Sequence, residues 1–204
     1  MPTDFKKTLD SYKARNHVID LLEVPARQYL MIDGHGDPGT SKEFADAITA
    51  LYPTAYTLKF AIKALGHDYV VPPLEGLWWS DDPTVFTSAR DKSQWNWTLM
   101  IMTPEWASAE LFGRAVATAA AKKDASAHLD RVRLETLDEG LCAQTLHVGS
   151  FEGEGEILAQ MHDEFIPSQG LVMTGKHHEI YFSDFRKVAP EKLRTILRQP
   201  VSRG

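Results

Sequence analysis

The sequence predicts an α+β fold of two βαββ units, related by a pseudo-twofold axis, that form one sheet with helices on one face and a ligand groove on the other. The same order of elements occurs at about 27–104 and at about 141–201: a strand, a glycine-containing loop, a helix and two more strands. Each unit also contains a glutamate followed by aromatic residues and Ser-Asp, in PPLEGLWWSDD and in HHEIYFSDF. Duplication within one domain spanning residues 1–204 explains both observations, and a chance match between short strands is the alternative.

The helix of the first unit has the clearest local signals. Thr40 and Glu43 have the spacing of a capping box, Pro53 is expected to kink or restart the helix, and Gly66 is expected to end it. After residues 1–20, which form a charged lead-in, the strands of this unit are predicted at Arg27–His35, Tyr69–Trp79 and Gln94–Thr103.

A linking helix is predicted at about 104–123, where Thr103 and Pro104 have the cap and first-position pattern. A charged link, 124–138, separates it from the second unit. The elements of that unit are predicted as a strand at Leu141–Gly149, a helix at Glu156–Phe165, a loop at Pro167–Gly175, and strands at His177–Ser183 and Leu193–Val201.

Composition excludes several classes of protein. The formal charge of -6, with Lys and Arg scattered, argues against a nucleic-acid partner, because phosphate neutralisation needs a basic surface. A single cysteine, Cys142, excludes an intramolecular disulfide and fits a reducing compartment. Neither a signal peptide nor a membrane-spanning run is recognisable. The sequence therefore predicts a soluble, cytoplasmic protein without membrane or nucleic-acid partners, and leaves any protein partner undefined.

The HHEIY stretch carries the main chemical signal. In an extended strand His177, Glu179 and Tyr181 share one face. The other face carries the apolar pair Ile180 and Phe182, which suits a core. A carboxylate surrounded by aromatic groups loses hydration; such a group can hold a cation or act as a general base for water. The alternative is that Glu179 is an exposed strand residue paired with Lys or Arg. Glu75, the matching residue of the first unit, could equally lie in a turn.

Four of the five tryptophans lie between Trp78 and Trp97, which predicts an aromatic ligand surface. Trp78 and Trp79 are adjacent and point in opposite directions, so one of them is expected to line the pocket. Trp95 and Trp97 share a strand face with apolar residues, so at least one of them is expected in the core.

Other chemistries lack the necessary spacing. His177 and His178 point to opposite faces of a strand, and the remaining histidines have no HxxxH or HExxH spacing, so no metal site is predicted. The glycine-rich stretches GHGDPG and FEGEGE lack the spacing of phosphate-binding loops and are interpreted as turns. No cofactor is expected, and Cys142 is interpreted as inert core.

The blocks VPARQYLMIDGHGDPGTSKEF, PPLEGLWW and TGKHHEIYFSDFRKVAPEKLRTILRQPV resemble the stand-alone GyrI-like small-molecule-binding proteins from about Glu23 to Val201. The resemblance implies a duplicated SHS2-type βαββ fold and an aromatic-lined multidrug pocket with an acidic residue. In relatives fused to a DNA-binding domain the module senses drugs; 204 residues leave no room for that domain. Some stand-alone relatives are similar to cyclopropanoid cyclopropyl hydrolases, which detoxify DNA-alkylating compounds by adding water to a strained ring.

The resemblance also implies roles for individual residues. Glu179 corresponds to the pocket glutamate and would be the general base, with Tyr181 or His177 as donor or orienting group, and Glu75 is carried over from a looser motif. The ligand contacts are assigned to Trp78, Trp79, Trp95, Trp97, His177 and Tyr56. Two functions are compatible with these residues: hydrolysis of a planar, cyclopropane-bearing compound, or binding of planar hydrophobic or cationic molecules by a non-catalytic sequestering or sensor protein.

Overall fold

The computed structural model describes residues 1–81 and 91–204. In this part of the chain the strands are β1 Asp20–Val24, β2 Arg27–His35, β3 Leu74–Trp79, β4 Asn96–Thr103, β5 Arg133–Leu137, β6 Gly140–Val148, β7 Leu171–Met173, β8 His177–Tyr181 and β9 Arg194–Arg203. The α-helices are α1 Phe5–Thr8, α2 Lys42–Ala64, α3 Ala109–Ala120, α4 Gly155–Ala159 and α5 Ile166–Ser168, with a π-helical segment Gln160–Phe165 joining the last two. The predicted α+β class is confirmed, and the order of elements is consistent with the predicted duplication, with a short strand, β7, added before β8 in the second unit.

The chain divides into two compact units. Unit 1 comprises 1–5, 27–72 and 76–137, and unit 2 comprises 6–26, 73–75 and 138–204. In unit 1, β2 pairs antiparallel with both β4 and β5. Apolar residues of α2 recur at helical spacing and are buried, and α2 packs on β2, β4 and α3. Strand β3 is divided between the units, with Leu74 and Glu75 in unit 2.

Unit 2 is built around β9. Strand β6 pairs antiparallel with β1 and β9, and β9 pairs antiparallel also with β7 and β8. The helical region packs on this sheet through a buried cluster that contains Ile157, Met161 and Leu197. This packing buries apolar surface and so helps to stabilise the unit.

The register identifies the two faces of this sheet. Glu179 and Thr145 both stand opposite Leu197, so they share its face, which we call the helix face. His178 stands opposite Arg198 and belongs to the opposite face. Ile180 is completely buried, as the alternation predicted. The helix, however, covers the face that carries Glu179, because alternation distinguishes two faces without showing which of them a helix will cover.

Two helices, α2 and α3, start later in the chain than the sequence predicts. Ser41, rather than Thr40, caps α2, and its side chain accepts a hydrogen bond from the Phe44 amide. Helix α3 starts after Ser108, whose side chain accepts from the Leu111 amide, rather than near Pro104. Thr103 instead extends β4. A tertiary strand pairing therefore overrides the helix-start signal of the Thr-Pro sequence.

Pro53 lies inside α2 without ending it. Thr54 and Ala55, next to it, are buried, so tertiary packing offsets the lost backbone hydrogen bond. Strands β1, β5 and β7 were not predicted, because they are only three to five residues long and most of their residues are not buried. None of the helices described is both long enough and apolar enough to cross a bilayer.

Candidate functional site

The helix face of β8 holds Glu179 between two side chains of its own strand. The Tyr181 hydroxyl donates a hydrogen bond of 2.7 Å to Glu179 Oε2, and His177 Nε2 lies 3.6 Å from Glu179 Oε1. Residues two apart in a strand share a face, which is why the sequence brings these three together. The side chains of Glu179 and His177 keep 15% and 17% of their surface exposed. One oxygen of the Glu179 carboxylate is therefore held by a hydrogen bond, and part of the side chain remains accessible to solvent.

A second carboxyl group, Glu154, lies near Glu179. It ends the 3-10 turn Phe151–Glu154 that precedes α4, and only 5% of its surface is exposed. Burial, then the negative charge of Glu179, then that of Glu152 raise the pKa of Glu154 to about 10. Glu154 is therefore a neutral acid at pH 7. Its Oε1 has no hydrogen-bond partner within the described chain.

Two histidines complete this group. The rings of His162, in the π-helical segment, and His177 meet edge to face with centroids 6.0 Å apart. Burial and then the neighbouring His177 lower the pKa of His162 to about 4, so His162 is neutral at pH 7. His162 Nε2 and both ring nitrogens of His177 are buried without a hydrogen-bond partner among the residues described. Buried polar atoms are normally satisfied, so such a concentration indicates a place where water or a ligand binds.

We call Glu154, His162, His177, Glu179 and Tyr181 the Glu179 cluster. An aromatic wall fixes one side of it, since Phe151, Tyr181 and Phe185 make three edge-to-face ring contacts with centroids 5.9 to 6.0 Å apart. The wall positions the Tyr181 hydroxyl on Glu179. The cluster can accept a proton at Glu179, donate one from Glu154, and offer the neutral imidazole of His162 to a polar ligand.

The opposite face of unit 2 carries a different constellation, which we call the Glu75 network: Tyr12, Glu75, Glu139, His178 and Arg198. Tyr12 donates its hydroxyl proton to Glu75 Oε1. His178 lies 2.9 Å from Glu75 Oε2 through Nε2 and 2.9 Å from Glu139 Oε1 through Nδ1. Arg198 Nη1 donates to Glu139 Oε2 over 2.7 Å. Each of the four carboxylate oxygens therefore has a donor.

Electrostatics make the Glu75 network an ionic one. Burial alone would lower the pKa of His178, but the adjacent Glu139 and Glu75 outweigh burial and raise it. Burial would likewise raise the pKa of Glu139, and the charges of His178 and Arg198 overcome it and lower that pKa to about 2. Both ring nitrogens of His178 face carboxylate oxygens and its pKa is raised, which favours the imidazolium form that donates from both nitrogens. In this network the buried positive charges of His178 and Arg198 balance the buried negative charges of Glu75 and Glu139.

The predicted site residues are distributed between the units. Glu179, Tyr181 and His177 come together in the Glu179 cluster, whereas Glu75 is completely buried in the Glu75 network. The remaining predicted ligand contacts, all in unit 1, are Trp78, Trp79, Trp95, Trp97 and Tyr56.

Burial separates these aromatic residues. Trp97 has no exposed surface and meets the Phe44 ring edge to face at 5.1 Å, and Trp78, which is 6% exposed, stacks on Phe44 at 6.1 Å. Trp79 and Trp95 are partly exposed. Tyr56 on α2 is 50% exposed and stacks on Tyr52.

Sequence reasoning did not find Glu154 or His162. The FEGEGE stretch offers Glu152, Glu154 and Glu156 with nothing in the local pattern to distinguish them, and only the middle one is buried. His162 has no partner at a recognised spacing, since its neighbour His177 comes from β8.

No metal-binding group of three or more His, Cys, Asp or Glu side chains occurs in 1–81 and 91–204. Cys142 is buried, which raises its thiol pKa to about 12.

Solved structures with the same fold were found by comparison. An uncharacterised conserved protein from Listeria innocua is 40% identical, with a TM-score of 0.88, and the match covers 98% of this chain and 100% of that protein. A protein from Listeria innocua described as a hydrolase is 38% identical, with a TM-score of 0.87, and the match covers 99% of this chain and 100% of that one. The C-terminal domain of EcmrR shares the fold at 10% identity and a TM-score of 0.55, covering 92% of this chain and 98% of that domain.

No match was found among curated proteins. The family model for the GyrI-like small molecule binding domain matches residues 17–202. That span includes all of the Glu179 cluster and nearly all of both units. The chain therefore belongs to the family of GyrI-like small-molecule-binding domains.

Proposed function

We propose that this GyrI-like protein is a hydrolase that adds water to planar, cyclopropane-bearing alkylating compounds, with Glu179 as general base. One observation carries the proposal: a partly exposed carboxylate and a neutral carboxylic acid, Glu154, occupy the same cluster. Environments that give two carboxyl groups opposite protonation states are typical of acid–base catalysis. The similar Listeria protein described as a hydrolase supports a catalytic role.

The reaction needs two proton transfers. Glu179 removes a proton from water while the water oxygen bonds to a ring carbon and the strained carbon–carbon bond breaks. The released electron pair moves through the conjugated system to the carbonyl oxygen, which takes a proton. We assign the proton donor as Glu154 because it is protonated, and Tyr181 or His177 is the alternative donor. The hydrogen bond from Tyr181 orients Glu179 during proton abstraction.

The tryptophans of unit 1 have a separate part in this proposal. Trp79 and Trp95 retain exposed surface, so we assign them to contact with flat hydrophobic or cationic ligands. The completely buried Trp97 supports that surface from the core. All five tryptophans belong to unit 1, so saturable quenching of intrinsic fluorescence by a planar cationic dye tests ligand binding there.

Turnover is tested with a cyclopropane-bearing dienone alkylator and mass detection of the hydrated product. The wild type is expected to form product over many turnovers, and Glu179→Gln to reduce the rate by about 10²–10⁴, the usual contribution of a general base. Glu191→Gln, an exposed glutamate of the same unit, is the matched control and should keep wild-type activity. Depletion of the compound at one equivalent without hydrated product would overturn the proposal in favour of sequestration.

A further inference from the structure

The opposite face of unit 2 carries a cavity of about 690 Å³ beside the N-terminal segment. Its lining belongs entirely to unit 2. Leu146 stands opposite Ile196, and Ile196 stands opposite Ile180, so these three residues share one face of the sheet. Ile180 directly follows Glu179 on β8 and therefore lies on the face opposite Glu179, which places Leu146 on that face as well. The cavity is thus separate from the Glu179 cluster. Its volume falls within the range that holds a small organic molecule. The lining residues are Lys6, Tyr12, Lys13, Ala14, Arg15, Asp20, Leu146, Phe182 and Arg194.

The lining is strongly cationic although the chain is acidic. Four of the lining residues, Lys6, Lys13, Arg15 and Arg194, are cationic against one carboxylate, Asp20, while the whole chain has a formal charge of -6. Arg15 pairs with Asp20 and Lys13 with Asp10, both at 2.8 Å. Arg194 makes no ion pair with any of the residues described and is exposed. A local excess of positive charge remains even after these pairs are formed.

The floor of the cavity is apolar and held in place. The Tyr12 and Phe182 rings meet edge to face with centroids 6.2 Å apart. The Tyr12 hydroxyl is committed to Glu75, which fixes the ring. The N-terminal segment is tied to the sheet on either side of Tyr12, since Arg198 Nη2 donates to the Ser11 carbonyl and Gln144 Nε2 to the Lys13 carbonyl, over 2.6 and 2.9 Å. Because the cavity is already formed, little conformational entropy is lost in ordering side chains when a ligand binds.

We propose that this cavity is a second binding site, specific for flat aromatic molecules that carry an anionic group such as a carboxylate or sulfonate. The aromatic part lies against Tyr12, Phe182 and Leu146, and the anionic group is placed at the Arg194 guanidinium, which can bind it through two hydrogen bonds. This ligand chemistry is opposite in charge to the cationic ligands considered for the tryptophan surface. The proposal stands independently of catalysis at Glu179.

Binding of 8-anilinonaphthalene-1-sulfonate, an aromatic sulfonate with a flat naphthalene ring and polarity-sensitive emission, tests the proposal. We expect saturable binding of one molecule per chain that weakens as salt concentration rises. Arg194→Gln should raise the Kd about tenfold, which corresponds to about 1.4 kcal/mol. Arg203→Gln, an exposed arginine on the same strand, is the matched control and should leave the Kd unchanged.

A neutral analogue separates charge recognition from simple apolar binding. N-phenyl-1-naphthylamine lacks the sulfonate and should bind more weakly to the wild type, with no response to Arg194→Gln. Near-ultraviolet circular dichroism confirms that each variant retains native packing. Equal affinity for the two dyes, or an unchanged Kd for the sulfonate in Arg194→Gln, would overturn the proposal. Hydrolysis at the Glu179 cluster should be unaffected by Arg194→Gln, so the two proposals fail separately.

Discussion

The two faces of β8 treat buried polar groups in opposite ways. On one face His178 joins the Glu75 network, in which every carboxylate oxygen has a donor and the charges compensate each other. On the other, Glu154, His162 and His177 leave four polar atoms without a hydrogen-bond partner within the described chain. Fully satisfied networks stabilise and specify a fold, whereas a cluster of unsatisfied atoms implies that something else binds there. We therefore expect the first face to be structural and propose that the second face carries the chemistry.

Breaking the Glu75 network should have the largest effect on stability. Arg198→Met removes the donor to Glu139, Gln144 and the Ser11 carbonyl, and leaves a buried carboxylate uncompensated. Loss of one partner from a buried ion pair costs about 3–5 kcal/mol in the free energy of unfolding. Urea denaturation measures it, with the exposed Arg203→Met as control, for which a change below about 0.5 kcal/mol is expected. Equal effects of the two substitutions would contradict a structural role for the network.

Replacing Glu154 in the Glu179 cluster should increase the stability of the fold rather than decrease it. The pKa of Glu154 is about 10 in the folded protein and near the ordinary glutamate value of 4.5 in the unfolded chain. Between these values the folded protein holds a proton that the unfolded chain releases, so Glu154 makes stability fall as pH rises. Glu154→Gln, an uncharged replacement, should raise the free energy of unfolding at pH 8 by about 1–3 kcal/mol while lowering hydrolysis, as expected for a residue kept for function.

Glu156→Gln, on the exposed side of the same helical region, is the control for that prediction. It should change neither stability nor hydrolysis. A loss of stability in Glu154→Gln would place Glu154 with the structural residues and remove the contrast between the two faces.

The pH dependence of the Glu75 network gives a smaller, directional test. The pKa of His178 is raised in the folded protein, so its positive charge stabilises the fold fully below the pKa of 6.5 in the unfolded chain. That stabilisation is lost as the pH rises through the pKa in the folded protein. The difference in unfolding free energy between wild type and His178→Asn should therefore shrink above neutral pH. The exposed His35→Asn should show no such trend. A difference that grows with pH would show that His178 is neutral in the folded protein.

The sequence could predict the contacts within β8 but not those that other elements bring to it. Glu179 and Tyr181 are two apart on a strand, so their hydrogen bond follows from alternation alone. Glu154 and His162 reach the same cluster only because the helical region packs on Leu197, a tertiary contact without a local signal. The same limit applies to Glu75, whose partner His178 is 103 residues away. Burial of Trp97 against Phe44 also depends on how α2 packs.

The central claim is that the Glu179 cluster holds a neutral carboxylic acid beside a carboxylate. Carbon-13 NMR of protein labelled at the glutamate side-chain carboxyl measures this directly, with Glu154→Gln assigning the resonance. We expect the Glu154 carboxyl to remain protonated at pH 7, to titrate at about 10, and to titrate at lower pH in Glu179→Gln, because the charge of Glu179 helps to raise its pKa. A Glu154 carboxyl already ionised at pH 7 would contradict the account.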